Sequence, residues 1–104
     1  MRNIVLTGRL TRDAELKEST TGGEQNKPYK LLKFSIANND NGKEKEPEFF
    51  DVVAWGNLAT WGAEYMKKGK KVLVTGVPHN QRYTKDNVAR THFQVVAERI
   101  ELID

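Results

Sequence analysis

Cysteine is absent from the 104 residues, which excludes a disulfide framework, a Cys-based zinc site and a cysteine nucleophile, and fits a reducing compartment. Long apolar runs are missing too. The longest are three or four residues, as in Val72-Leu73-Val74, against the roughly 20 that a helix needs to span a bilayer. The opening Met1-Arg2-Asn3-Ile4-Val5 has neither the apolar block nor the small-residue cleavage site of a signal peptide, so a cytoplasmic location is expected. There is no internal repeat, linker, Gly-rich phosphate loop, nucleophile elbow or metal-binding motif. His79 and His92 lack Asp, Glu or His neighbours at ligand spacing. The acidic sets Asp13/Glu15 and Glu44/Glu46/Glu48 read as solvated turns. No enzymatic activity, cofactor or metal is therefore expected.

What is present fits one small domain, 1–104, with no linker and no C-terminal tail. A chain of this size buries only about two thirds of its unfolded surface, which makes self-association a natural supplement. Lys and Arg number 17 and Asp and Glu 14, a net charge of +3. Residues 1–52 are balanced, so the excess lies in the second half, densest at Lys67-Lys68-Gly69-Lys70-Lys71. Such a patch attracts a polyanion, or simply ends a helix whose dipole favours cations there.

Periodicity supplies the elements. Ile4, Leu6 and Leu10 alternate with Val5, Thr7 and Arg9 as a strand with one buried face, and Gly8 marks a bend. Residues 19–28 read as a loop. A second strand, about 29–38, places Leu32, Phe34 and Ile36 toward the core, and Asn41-Gly42 signals a hairpin. The third, 48–55, divides into Phe50, Val52 and Ala54 against Phe49, Asp51, Val53 and Trp55. A helix of about ten residues follows, with Asn57 at the N-cap position, a stripe of Leu58, Trp61, Tyr65 and Met66, and Gly69 at C′. Lys71 to Asn80 alternates again with a kink at Gly76, and Pro78 must stand at an edge, a bulge or a strand end. The final strand, 88–103, sets Phe93, Val95 and Ala97 on one face before Ile100 and Leu102 switch parity. This order predicts an all-β chain with one short helix: a five-stranded OB-fold Greek-key barrel with the helix between strands 3 and 4.

Phe49 and Trp55 have the parity opposite to the core series and should project outward. Exposed aromatics beside cations suit unpaired nucleic acid, because every base has a π-face and stacking tolerates any sequence. Tyr83 joins them from the last hairpin. Arg9, Lys33, Lys71, Arg82 and Arg90 are the candidate phosphate contacts. Packing of Trp55 under the helix and of Phe49 at the barrel end is the competing reading, and a cross-strand contact is the one for Tyr83. Trp61 reads as core or subunit-interface packing.

Asn3-Ile4-Val5-Leu6-Thr7-Gly8-Arg9-Leu10-Thr11-Arg12-Asp13-Ala14-Glu15-Leu16 resembles the opening of bacterial single-stranded DNA-binding proteins. Phe34-Ser35-Ile36-Ala37, Phe49-Phe50-Asp51-Val52-Val53-Ala54-Trp55-Gly56, Tyr65-Met66-Lys67-Lys68-Gly69 and Val95-Val96-Ala97-Glu98-Arg99-Ile100 continue that resemblance in order. It implies an OB-fold homotetramer, or a dimer, that wraps single-stranded DNA in replication, recombination and repair. It also implies base stacking on Phe49, Trp55 and Tyr83. The stretch Asn38-Asn39-Asp40-Asn41-Gly42 lacks an aromatic that many relatives carry, so one platform is expected to be missing. Family members continue past the point where this chain reads Glu101-Leu102-Ile103-Asp104, into an acidic tip. The expectation is a short form without that tip's recruitment of repair proteins, of chromosomal or phage origin. A chain with the Ile-Glu-Leu-Ile-Asp ending is also similar to primosomal replication protein N, an OB-fold adaptor with weaker DNA binding, which stands as the alternative.

Overall fold

The computed structural model describes residues 1–19, 29–40, 42 and 46–103. Residues 20–28 of the loop expected over 19–28, and residues 41 and 43–45 of the expected hairpin, lie outside them, while Ser19 ends a strand instead. In chain order the elements are β1 (Ile4–Leu10), β2 (Glu15–Ser19), β3 (Tyr29–Asn38), β4 (Glu48–Trp55), α1 (Asn57–Tyr65), β5 (Lys71–Lys85) and β6 (Val88–Leu102). The sheet runs β1-β5-β6-β4-β3-β2, and an additional β1–β3 pairing closes it into a barrel.

The helix follows β4 rather than a third strand because the chain forms a five-residue strand, β2, after β1. Between them the backbone leaves the ladder for the turn after α1. Asp13 Oδ1 accepts from the Lys68 amide at 2.8 Å. The Ala14 amide donates to the Met66 carbonyl at 2.9 Å. With those groups engaged elsewhere, the chain re-enters the sheet further along β3, the strand that already pairs with the end of β1, where Glu15 faces Lys33 and Leu16 faces Leu32.

Two glycines permit closure. β1 pairs with β5 from Ile4 to Arg9 and with β3 at Arg9 and Leu10, so it bends from one neighbour to the other. A Cβ on Gly8 would lie 2.8 Å from the Ala37 carbonyl oxygen. At Gly76 the β5–β6 register shifts: Thr75 faces Arg99 but Gly76 faces Ala97, leaving Glu98 as the extra residue of a bulge. This bulge is the physical cause of the parity switch on the last strand. Pro78 follows it, beyond the end of β1's pairing at Gly76, where one edge of β5 no longer needs an N–H donor.

The core is Leu10, Leu32, Phe34, Ile36, Val52, Ala54, Ala59, Met66, Val72, Val74, Val95, Ala97 and Ile100. Phe50 is only partly buried, and Phe93, expected with Val95 and Ala97, is exposed. α1 packs over one side of the barrel, presenting Ala59 and Gly62, with Met66 fully buried beyond its end. Its N-cap is Gly56, at φ 66°, with no side-chain capping bond. Asn57, expected at that position, is the first helical residue. At the other end the Met66 amide still donates to the Gly62 carbonyl at 2.8 Å, and the turn of its backbone to ψ 86° ends the helix. Gly69 therefore belongs to a separate turn, held by its amide to the Leu10 carbonyl at 2.9 Å. Trp61 is partly buried against the core with its ring centroid 5.4 Å from that of Tyr65. Among the described residues no helix is long and apolar enough to cross a membrane.

Candidate nucleic-acid interface

Residues directly opposite in a ladder share a face, so the register assigns the outward surface. Across β3 and β4 the outward pairs are Leu31 with Trp55, Lys33 with Val53, Ser35 with Asp51, and Ala37 with Phe49. The parallel pair Val53–Val96 carries this face onto β6. It continues through Gln94, His92 and Arg90, which face His79, Gln81 and Tyr83 of β5. At the other end Arg9 faces both Ala37 and Lys71.

This surface gathers most of the candidate residues. Phe49 is 65% exposed, Trp55 51% and Tyr83 44%, so neither Phe49 nor Trp55 serves as core packing. Lys33 lies on the row between them. Arg9 Nη1 donates to the Gly69 carbonyl at 2.9 Å, which anchors its guanidinium beside Lys71. Arg90 stands opposite Tyr83. Arg82, one residue before Tyr83 and opposite Thr91, alternates to the other face of the hairpin, the face of Asn80 and Phe93.

Two features were not singled out from the sequence. Tyr29, on the same row as Leu31 and Lys33, has its ring centroid 5.9 Å from that of Trp55 at an interplanar angle of 60°. The pair forms a tilted aromatic platform rather than a lone ring. Its parity with Lys33 was the signal for it. The second is a groove of about 330 Å³ beside this row, whose lining includes Lys33, Ser35, Asp51, Gln81, His92 and Gln94. Val53, only 5% exposed, is also part of its wall. Asp51 lies within it, with Ser35 donating to Oδ1 at 2.5 Å and His92 Nε2 3.2 Å from Oδ2. No sequence spacing signals that contact, because it joins residues on two strands that meet only in the folded sheet.

Aromatic rings spaced along an open sheet face, with cations beside them and a polar groove between strands, define an OB-type binding barrel. The chain matches the Single-strand binding protein family over residues 1–103, and it belongs to that family. It is 35% identical to the single-stranded DNA-binding protein of Treponema pallidum, over 99% of this chain and 58% of that protein. With single-stranded DNA-binding protein 3 of Clostridium acetobutylicum the identity is 33%, over 100% of this chain and 72% of that protein. The wild-type single-stranded DNA-binding protein of Thermus aquaticus superposes with a TM-score of 0.76 at 27% identity, covering 100% of this chain and 41% of that one. The chain thus spans only about three fifths of the Treponema pallidum protein, and half of its Borreliella burgdorferi relative.

Proposed function

We propose that the chain binds single-stranded DNA by stacking bases on Phe49, on the Trp55–Tyr29 platform and on Tyr83, while Arg9, Lys33, Lys71 and Arg90 follow the phosphates. The observation that carries this reading is the exposure of Phe49 and Trp55 on one row with Lys33 between them. Arg82 contacts phosphate only where the strand passes the other face of the hairpin. The reading assigns binding and protection of unpaired DNA in replication, recombination and repair, with no chemistry, in the bacterial cytoplasm or nucleoid. The relatives named for single-stranded DNA binding do not favour the adaptor alternative.

Titration of tryptophan fluorescence with oligo-dT tests it. Trp55 is quenched on binding, while half-buried Trp61 contributes a constant background. Each phosphate neutralised on a single strand lowers the slope of log K against log salt by about 0.7, so four cations give a slope of about −3. Duplex DNA quenches weakly. Absence of quenching by oligo-dT in the folded protein would reject the reading.

Assembly as a homotetramer, or a dimer, is part of the same proposal. The outward face of β1 and the first half of β5 supports it: Val5, 62% exposed, faces Thr75, and Thr7 faces Leu73. Light scattering is expected to give a mass near four times 11.9 kDa. A mass equal to one chain at micromolar concentration would overturn this part alone.

A further inference from the structure

Asp51 places an acid in the middle of a face proposed to take a polyanion. It stands on β4 between Phe49 and Trp55, on the same outward row. A carboxylate only accepts: Ser35 Oγ donates to Oδ1, and His92 Nε2 lies 3.2 Å from Oδ2, one partner to each oxygen. Those two contacts fix its orientation. The Asp51 side chain remains 49% exposed, and a carboxylate has about four acceptor positions, so lone pairs remain for a ligand in the groove.

Phosphate is repelled by this group, and the favourable partners that a DNA strand offers it are N–H groups on base edges. Cytosine presents its N4 amino group, adenine its N6, and guanine N1–H with its N2 amino group. Thymine flanks its single N3–H with two carbonyls, which would point at the carboxylate. Lys33, Gln81 and Gln94 line the same groove and supply donors for the ring nitrogen and carbonyl beside the cytosine amino group. We propose that Asp51 is a base-selecting residue. At one position on an otherwise base-tolerant face it accepts from the amino group of a bound base, favouring cytosine, adenine or guanine over thymine. Ser35 and His92 are its positioning residues. The inference rests on the single-stranded DNA reading above.

The test is anisotropy of labelled oligo-dC and oligo-dT of equal length, with wild type, Asp51→Ala, His92→Gln and Glu15→Ala. Glu15 lines the groove as well, so its removal controls for charge alone. One hydrogen bond to a charged acceptor corresponds to about a tenfold change or more. Asp51→Ala is expected to lower the dC-to-dT affinity ratio by about tenfold, His92→Gln to lower it in part, and Glu15→Ala to leave it unchanged. Because Asp51 and His92 are both half exposed on the sheet surface, His92→Gln carries the test should Asp51→Ala fold poorly. Equal gains for dC and dT on Asp51→Ala would show that the acid merely repels phosphate, and would overturn the inference while leaving the DNA reading intact. Failure of wild type to bind either oligonucleotide would overturn both.

Discussion

Alanine at both Phe49 and Trp55 lowers oligo-dT affinity by about 2–6 kcal/mol, at least thirtyfold, since stacking contributes about 1–3 kcal/mol per base. The two positions are six residues apart on one strand, about 20 Å at the rise of an extended chain. They engage different bases, and their effects should add. Neither ring is part of the core, so the double variant keeps its barrel. Trp55→Ala also removes the ring that Tyr29 leans against, and of the two single variants it should lose more. Anisotropy of a labelled oligonucleotide measures the change, because the fluorescent reporter is itself removed. Unchanged affinity in a variant with native circular dichroism would displace the binding face from β4 altogether.

Alanine at Gly76 is expected to cost about 3 kcal/mol of stability, the upper part of the usual range for overpacking. The added methyl would be driven into the Val96 carbonyl, with the Ala97 Cα 3.0 Å away. Both are backbone atoms of the neighbouring strand, so no side chain can rotate aside. Relief requires moving β6 away from β5 at the bulge, which also disturbs Ala97 and Val95 in the core. For a domain of about 100 residues, 3 kcal/mol corresponds to a fall in Tm of about 12–24 °C. Thermal unfolding followed by circular dichroism reads it directly, and a fall under about 3 °C would show that the bulge can widen without loss.

Parity was the most informative signal in the sequence. Leu32, Phe34 and Ile36, with Val52 and Ala54, alternate cleanly and are all buried. The complementary series placed Phe49 and Trp55 outside. What alternation could not supply was anything set by distant chain. β2 holds one strong apolar residue, Leu16, and exists because Asp13 and Ala14 bond to the turn after α1. Phe93 shares the parity of Val95 but lies opposite Asn80, on the part of the β5–β6 ladder that projects past the barrel, so it has no core to enter. α1 is capped at Gly56 and not at the expected Asn57 because the turn depends on the positive φ of Gly56 rather than on an Asn57 side-chain cap. Asp51 was visible only as a member of the outward series, and its partner His92 became apparent once β6 lay alongside β4.

The closure of the barrel has a consequence for the order in which a growing chain can fold. β1 takes its main partner from residues 71–76, and β4 meets β6 at only two parallel pairs, Val52–Val95 and Val53–Val96. While the chain emerges, β2, β3 and β4 can pair among themselves as neighbours in sequence, but β4 keeps a bare edge and Val52 and Ala54 stay wet. β5 and β6 form a local hairpin that closes at little entropic cost, whereas joining it to the first half encloses long loops at once. The last strand made is therefore the one that seals the fold, and a ribosome paused before residue 95 holds a half-barrel with an open, apolar edge that invites the wrong partner.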